Sequence, residues 1–252
     1  MTNYILVAVG FAILFVGGDF LVRGAVSLAR RLKVPTLLIA ITIVAFGTSL
    51  PELIVNIEAA ISGSPALAIG NVVGSNIANI FLVLGLPAII YPIATNGIEI
   101  GKDAFIMLLA SLLLTILAMN GNIEQYQGFF LFTLLILFLA YSYWKGKQHK
   151  GNKNAIEVEV RHFDSKQKKI WIITSEILGG LCGLFVGSKL LIEGAVGVAL
   201  SFSIPEEVIG LTLVAFGTSL PELVTSGIAA IRRQGDLVIG NVIGSNIFNT
   251  LG

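Results

Sequence analysis

Long apolar runs, each about the length that crosses a bilayer, alternate along this chain with short polar turns. Crossing the hydrocarbon core takes about 20 apolar residues in a helix. On that rule eight spans are predicted, near residues 4–29, 36–62, 66–91, 103–119, 127–144, 170–196, 206–231 and 236 to the end. All are expected to be helices, because lipid offers no partner to an unpaired strand edge. Pro and Gly mark the turns between them, as at Lys33-Val34-Pro35, Ser62-Gly63-Ser64-Pro65 and Thr95-Asn96-Gly97. Only 145–169 is long and polar, and it holds both histidines, His149 and His162.

The pattern also repeats. Ala45 to Leu53, AFGTSLPEL, recurs verbatim at Ala215 to Leu223, and GNVVGSN at Gly70 to Asn76 returns as GNVIGSN at Gly240 to Asn246. Both blocks are offset by 170 residues, and 26 of the 47 positions in 35–81 are identical to those in 205–251 without a gap. Five spans separate the start of one copy from the start of the next, an odd number, so the copies enter the membrane in opposite directions. Inverted repeats of this kind belong to secondary transporters, whose site lies at the midplane where the halves meet. The expected organisation is a first half at 1–144, a cytoplasmic loop at 145–169 and a second half at 170–252. By symmetry, two further helices and the rest of span 8 would complete the second half.

Composition strengthens the membrane reading. Hydrophobic residues make up 55% of the chain and charged residues 12%, with a mean hydropathy of +0.90, outside the range of a water-soluble domain. A net charge of +1 gives no sign of nucleic-acid binding. The N-terminus has neither a basic leader nor a small-residue cleavage site, so it is expected to start a retained span and not a signal peptide. Of the 16 Lys and Arg, 14 fall on one side of the predicted spans, while the loops near 62–65, 120–126 and 201–205 carry none. Basic loops stay in the cytoplasm, which predicts a multi-pass cell-membrane protein with its N-terminus outside and the 145–169 loop inside. No obligate protein partner and no cofactor is expected beyond the bilayer and the transported ions.

The polar blocks carry the chemistry. A carboxylate near the bilayer centre costs about 2.5–3.5 kcal/mol on insertion scales, yet Glu52 and Glu222 lie near the middle of spans 2 and 7, in matched and inverted positions. They imply a cation between them; the plainer alternative is a structural Glu bonded to a neighbouring helix. Pro51 lacks an N–H and crowds the Gly47 carbonyl, so the helix should break there and leave the carbonyls of Ala45 to Thr48 unpaired. Pro221 should do the same for Ala215 to Thr218. Thr48, Ser49, Thr218 and Ser219 add hydroxyls, which could instead cap their own helix carbonyls. Carboxylate, carbonyl and hydroxyl oxygens suit hard cations such as calcium and sodium. Ser75 and Asn79, like Ser245 and Asn249, are four apart and share a helix face. Gly70, Gly74, Gly240 and Gly244 should let spans 3 and 8 approach spans 2 and 7 closely. Asp19 with Arg23, and Lys189 with Glu193, read as within-helix ion pairs. No span holds a histidine, and there is no HExxH or GxxxxGK[ST], which speaks against a zinc enzyme or an ATP-driven pump.

The doubled TSLPE and GNxxGSN blocks resemble the alpha repeats of the sodium/calcium exchanger family, within the cation/calcium antiporters. The short central loop fits a minimal, prokaryote-like member. The resemblance implies an all-α membrane fold of ten helices, two inverted repeats of five, broken at the midplane, of which about eight are present in this chain. It also implies antiport of calcium against sodium by alternating access. Carried over by motif, it implies Glu52 and Glu222 as calcium ligands, with Thr48, Ser49, Thr218 and Ser219 binding sodium and calcium. Ala45 and Ala215 would contribute carbonyls, and Ser75, Asn79, Ser245 and Asn249 would complete the pocket. Several members carry aspartate where this chain has Asn249, so the pocket here holds two carboxylates and not three. The alternatives are proton/calcium exchange through the same glutamates, a cation channel, or, most distantly, an intramembrane enzyme.

Overall fold

The computed structural model describes residues 2–93, 97–119, 123–148, 168–204 and 215–252. Every regular element among them is helical, as apolar spans in lipid must be. They are α1 (Thr2–Leu32), α2 (Thr36–Thr48), α3 (Leu50–Ile61), α4 (Pro65–Ile90), α5 (Gly97–Ala118) and α6 (Gln125–Gln148), followed by α7 (Ile170–Ser201), α8 (Ala215–Thr218), α9 (Leu220–Ile231) and α10 (Gly235–Leu251).

Five of these, α1, α4, α5, α6 and α7, are long and apolar enough to cross a membrane alone, and α2 with α3 forms a sixth span bent by 46°. The predicted seventh span appears as α8 and α9, its residues 206–214 lying outside the described residues. The eighth appears as α10. Most of the 145–169 loop, including both histidines, also lies outside them.

α1 and α7 are 31 and 32 residues long. At 1.5 Å per residue each extends about 46–48 Å, well beyond a hydrocarbon core of about 30 Å, so both are expected to tilt. Their glycines recur every seven residues, at 10, 17 and 24 and at 180, 187 and 194, and this spacing brings the two backbones together. A Cβ on Gly10 would stand 2.5 Å from the Leu191 nitrogen, and one on Gly17 2.8 Å from the Leu184 nitrogen. The mates answer in kind, with Gly180 at 2.6 Å from the Leu21 nitrogen and Gly187 at 2.6 Å from the Leu14 nitrogen. Positions rise along α1 as they fall along α7, so the pair is antiparallel and reproduces the repeat.

The same duplication governs the helix ends. Lys33 and Ser203 adopt φ of 56° and 58°, and Gly63 and Arg233 adopt 76° and 59°, each pair being 170 apart. At each site the chain reverses through the same two bonds, such as Ser64 N–H to the Ala59 carbonyl at 2.8 Å and Gln234 N–H to the Ala229 carbonyl at 2.8 Å, the left-handed closure common at helix C-termini.

α10 is the innermost helix, with nearly every residue from Leu237 to Leu251 buried. Its Gly244 comes so close to α2 that a Cβ would lie 2.6 Å from the Ile41 carbonyl and 2.5 Å from the Ala45 Cβ. The close approach is therefore made by span 8 against span 2 of the other half. Gly70 and Gly74 meet no atom within 4 Å among the described residues; much of the stretch matching α2 lies outside these. α5 and α6 turn Phe105, Leu108, Leu112, Phe129 and Leu137 outward, a surface suited to lipid.

The expected Asp19–Arg23 pair is present at 2.7 Å, but Asp19 also accepts from Arg232 of the α9–α10 turn. The mirror pair, Lys189 and Glu193, is exposed and 4.0 Å apart. In the same turn, the Arg233 guanidinium lies 5.4 Å above the Tyr91 ring, just past the end of α4.

Candidate ion-binding site

The two broken helices position the carboxylates. Ser49 (φ −85°, ψ 5°) and Ser219 (φ −87°, ψ 4°) share one conformation and separate α2 from α3 and α8 from α9. Pro51 and Pro221 follow at the first turn of the new helices, where a missing N–H costs nothing. Glu52 and Glu222 therefore stand in the first turn of α3 and α9, facing the helix N-termini, where a negative charge is favoured. Each is 1% exposed.

The break differs from its expected form. The Ala45 carbonyl is not bare: it accepts Ser49 N–H at 3.0 Å and Thr48 Oγ1 at 3.3 Å. The helix holds through Ser49 N–H and bends just beyond it, beside Pro51, which brings no donor. In the second copy Ser219 N–H lies 3.2 Å from the Phe216 carbonyl, a tighter closure. There the Gly217 carbonyl, which Pro221 cannot serve, accepts Ser188 Oγ of α7 at 2.9 Å. The mate of Ser188 is Gly18, which has no side chain to do the same.

The serines cross between the halves. Ser49 Oγ donates to Glu222 Oε1 at 3.1 Å, and Ser219 Oγ to Glu52 Oε1 at 3.4 Å. Glu52 Oε2 and Glu222 Oε2 are buried without a protein partner, as are Asn79 Oδ1 and Ser245 Oγ. Among the described residues no Lys, Arg or His pairs with either glutamate, and no group of three His, Cys, Asp or Glu is present. A buried carboxylate without a counter-charge is costly, and the orphaned oxygens are of the kind a hard cation takes.

Of the other predicted residues, Thr48, Ser75 and Asn249 are buried and Thr218 is half-buried. Asn249 lines a cavity of about 80 Å³ that also touches Ser49 and Asn56; its Nδ2, and not its oxygen, is the orphaned atom. Ala215 belongs to α8.

Several asparagines of the repeated blocks were not singled out from the sequence. Asn241 accepts Thr48 Oγ1 at 3.3 Å and donates to Ser226 Oγ at 3.1 Å and to the Glu222 carbonyl at 3.4 Å. Its mate Asn71 donates to Asn56, the mate of Ser226, at 2.7 Å. Asn246 accepts Asn79 Nδ2 at 3.0 Å, and Asn76 donates to Thr250 at 2.8 Å. Their signal was available: all four are identical between GNVVGSN and GNVIGSN.

The chain is similar to the uncharacterized membrane protein MJ0091 of Methanocaldococcus jannaschii, 40% identical over 94% of this chain and 75% of that one. It is also similar to the sodium/calcium exchanger MaX1 of Methanosarcina acetivorans, 32% identical over 98% of this chain and 80% of that one. Its fold superposes on the sodium-calcium exchanger NCX_Mj, studied for extracellular ion exchange, with a TM-score of 0.86 at 36% identity, over 98% of this chain and 78% of that one. Residues 2–144 and 174–252 match the sodium/calcium exchanger protein family. An all-helical membrane fold built on two broken helices, together with that match, shows that the chain belongs to the sodium/calcium exchanger family.

Proposed function

We propose that this exchanger carries calcium in one direction and sodium in the other through a single pocket centred on Glu52 and Glu222, open to one side at a time. The observation that carries the reading is the crossed pair of serine–glutamate hydrogen bonds. Each carboxylate is held at one oxygen by the opposite half and keeps the other oxygen free. A cation bound between them touches both halves at once, so loading and the relative position of the halves are linked.

Around the two carboxylates, Thr48, Ser49, Thr218, Ser219, Ser75, Asn79, Ser245 and Asn249 supply neutral oxygens, and Ala45 and Ala215 supply carbonyls. Two carboxylates neutralise one calcium, whereas three sodium ions in the same pocket would leave one positive charge. The exchanger names of MaX1 and NCX_Mj support sodium as the counter-ion. The reading sets residues 1–144 and 170–252 as the two halves, with the N-terminus outside and the 145–169 loop in the cytoplasm. Its support is the one-sided distribution of Lys and Arg.

The test is radioactive calcium uptake into sealed vesicles, driven by an outward sodium gradient, with and without Glu52→Gln. Sodium-driven uptake that disappears in the variant is the expected result. Uptake driven only by a proton gradient would keep the pocket and change the counter-ion, and uptake indifferent to Glu52→Gln would overturn the site.

A further inference from the structure

We infer that Asn246 and Met107 are positioning residues that aim the side-chain oxygen of Asn79 at the transported cation; the inference rests on the ion-site reading above. An asparagine amide has an accepting and a donating end of nearly the same shape. Which end faces the pocket decides whether the residue attracts a cation or repels it. Asn79 Nδ2 donates to Asn246 Oδ1 at 3.0 Å, and Asn79 Oδ1 is left buried with no protein partner. Asn246 Nδ2 in turn points at Met107 Sδ, 3.4 Å away on α5.

The sulfur sets the direction of this relay. A thioether accepts a hydrogen bond and cannot donate one, so it takes the N–H₂ end of Asn246. Asn246 must then present its oxygen to Asn79, and Asn79 must present its own oxygen to the pocket. Reversing the relay would set the Asn246 oxygen against the sulfur lone pairs and turn the Asn79 N–H₂ onto the ion. The relay runs from α5 through α10 to α4, so two helices without a ligating carboxylate order a ligand on a third.

Among the described residues the relay is seen in one half. Asn76, the mate of Asn246, donates to Thr250 and not to Asn249, and Asn249 Nδ2 is buried with no protein partner. Among the described residues, Asn79 is the pocket amide that this relay orients. Asn246 acts only through Asn79 and is not itself a ligand.

A double-mutant cycle tests this, because a carboxylate at position 79 has two equivalent oxygens and needs no orientation. Sodium-driven calcium uptake into vesicles is measured over a calcium series for Asn246→Leu, Met107→Leu, Asn79→Asp and the double variants. The expected result for Asn246→Leu is a calcium KM raised about fivefold, with kcat within about twofold of the parent. Met107→Leu, which keeps the Asn79–Asn246 bond and the core volume, is expected to raise KM about twofold. In the Asn79→Asp background neither substitution should raise KM, because the carboxylate needs no orientation and has no donor for the Asn246 oxygen. Equal losses in the two backgrounds, or no KM change from either substitution in the parent, overturn the relay. If Asn246→Leu does not fold, the Met107→Leu cycle gives the same decision. Failure of the ion-site reading would appear separately, as uptake indifferent to Glu52→Gln.

Discussion

Ser49 donates its hydroxyl to Glu222, 173 positions away, and not to Glu52, three residues further along its own chain. Its mate Ser219 does the reverse and reaches Glu52. Each half thus supplies the carboxylate that the other half's serine orients. Hydrogen bonds to charged groups contribute about 1.5–3 kcal/mol, so Ser49→Ala and Ser219→Ala should each raise the calcium KM about tenfold. Vesicle uptake kinetics check this; a change confined to kcat would place the serines outside the binding step.

Calcium itself should stabilise the fold, because a ligand bound only by the folded state adds stability by mass action, about 2.7 kcal/mol at 100 times Kd. Thermal unfolding of purified protein in detergent is expected to shift upward as calcium is raised. The double variant Glu52→Gln/Glu222→Gln should melt at one temperature at all calcium concentrations, because neutral amides remove the counter-charge and leave the shape.

The α1–α7 contact predicts opposite signs for two glycine-to-alanine changes on one helix. Gly187→Ala would drive a Cβ to 2.6 Å from the Leu14 nitrogen, whereas Gly179 has nothing within 4 Å. Overpacking of this kind costs about 1–3 kcal/mol, and alanine in an open helix position gains about 1 kcal/mol over glycine. Thermal melting should fall for Gly187→Ala and hold or rise for Gly179→Ala.

Asp19 joins α1 to the α9–α10 turn through Arg232, while its mirror pair on α7 stands in the open. Half-buried pairs are worth more than exposed ones, which contribute about 0–1 kcal/mol. Asp19→Asn should therefore lower the melting temperature more than Glu193→Gln does. Equal melting temperatures for the two variants would reduce the Arg232 contact to a surface pair.

Much of this molecule is determined by signals that sit within one stretch of chain or recur at a fixed distance. Hydropathy belongs to a run of residues, so the spans were legible. A proline acts on the carbonyl four positions back, so the breaks beside Ser49 and Ser219 were legible as well. An identical block at an offset of 170 residues marked Glu52 and Glu222. Tertiary structure decided which of these groups meet. Asn241 reaches Thr48 across the interface and Ser226 on the neighbouring helix, and its mate Asn71 donates to Asn56, meetings between distant positions that no local pattern announces. The Ala45 carbonyl is engaged because Ser49 keeps a near-helical conformation, a consequence of φ and ψ that residue identity alone does not set. The wide helical turns at Ala40–Val44 and Asn79–Leu84 likewise have no mark in the apolar pattern, since one extra residue in a buried turn changes the register of side chains without changing their hydrophobicity.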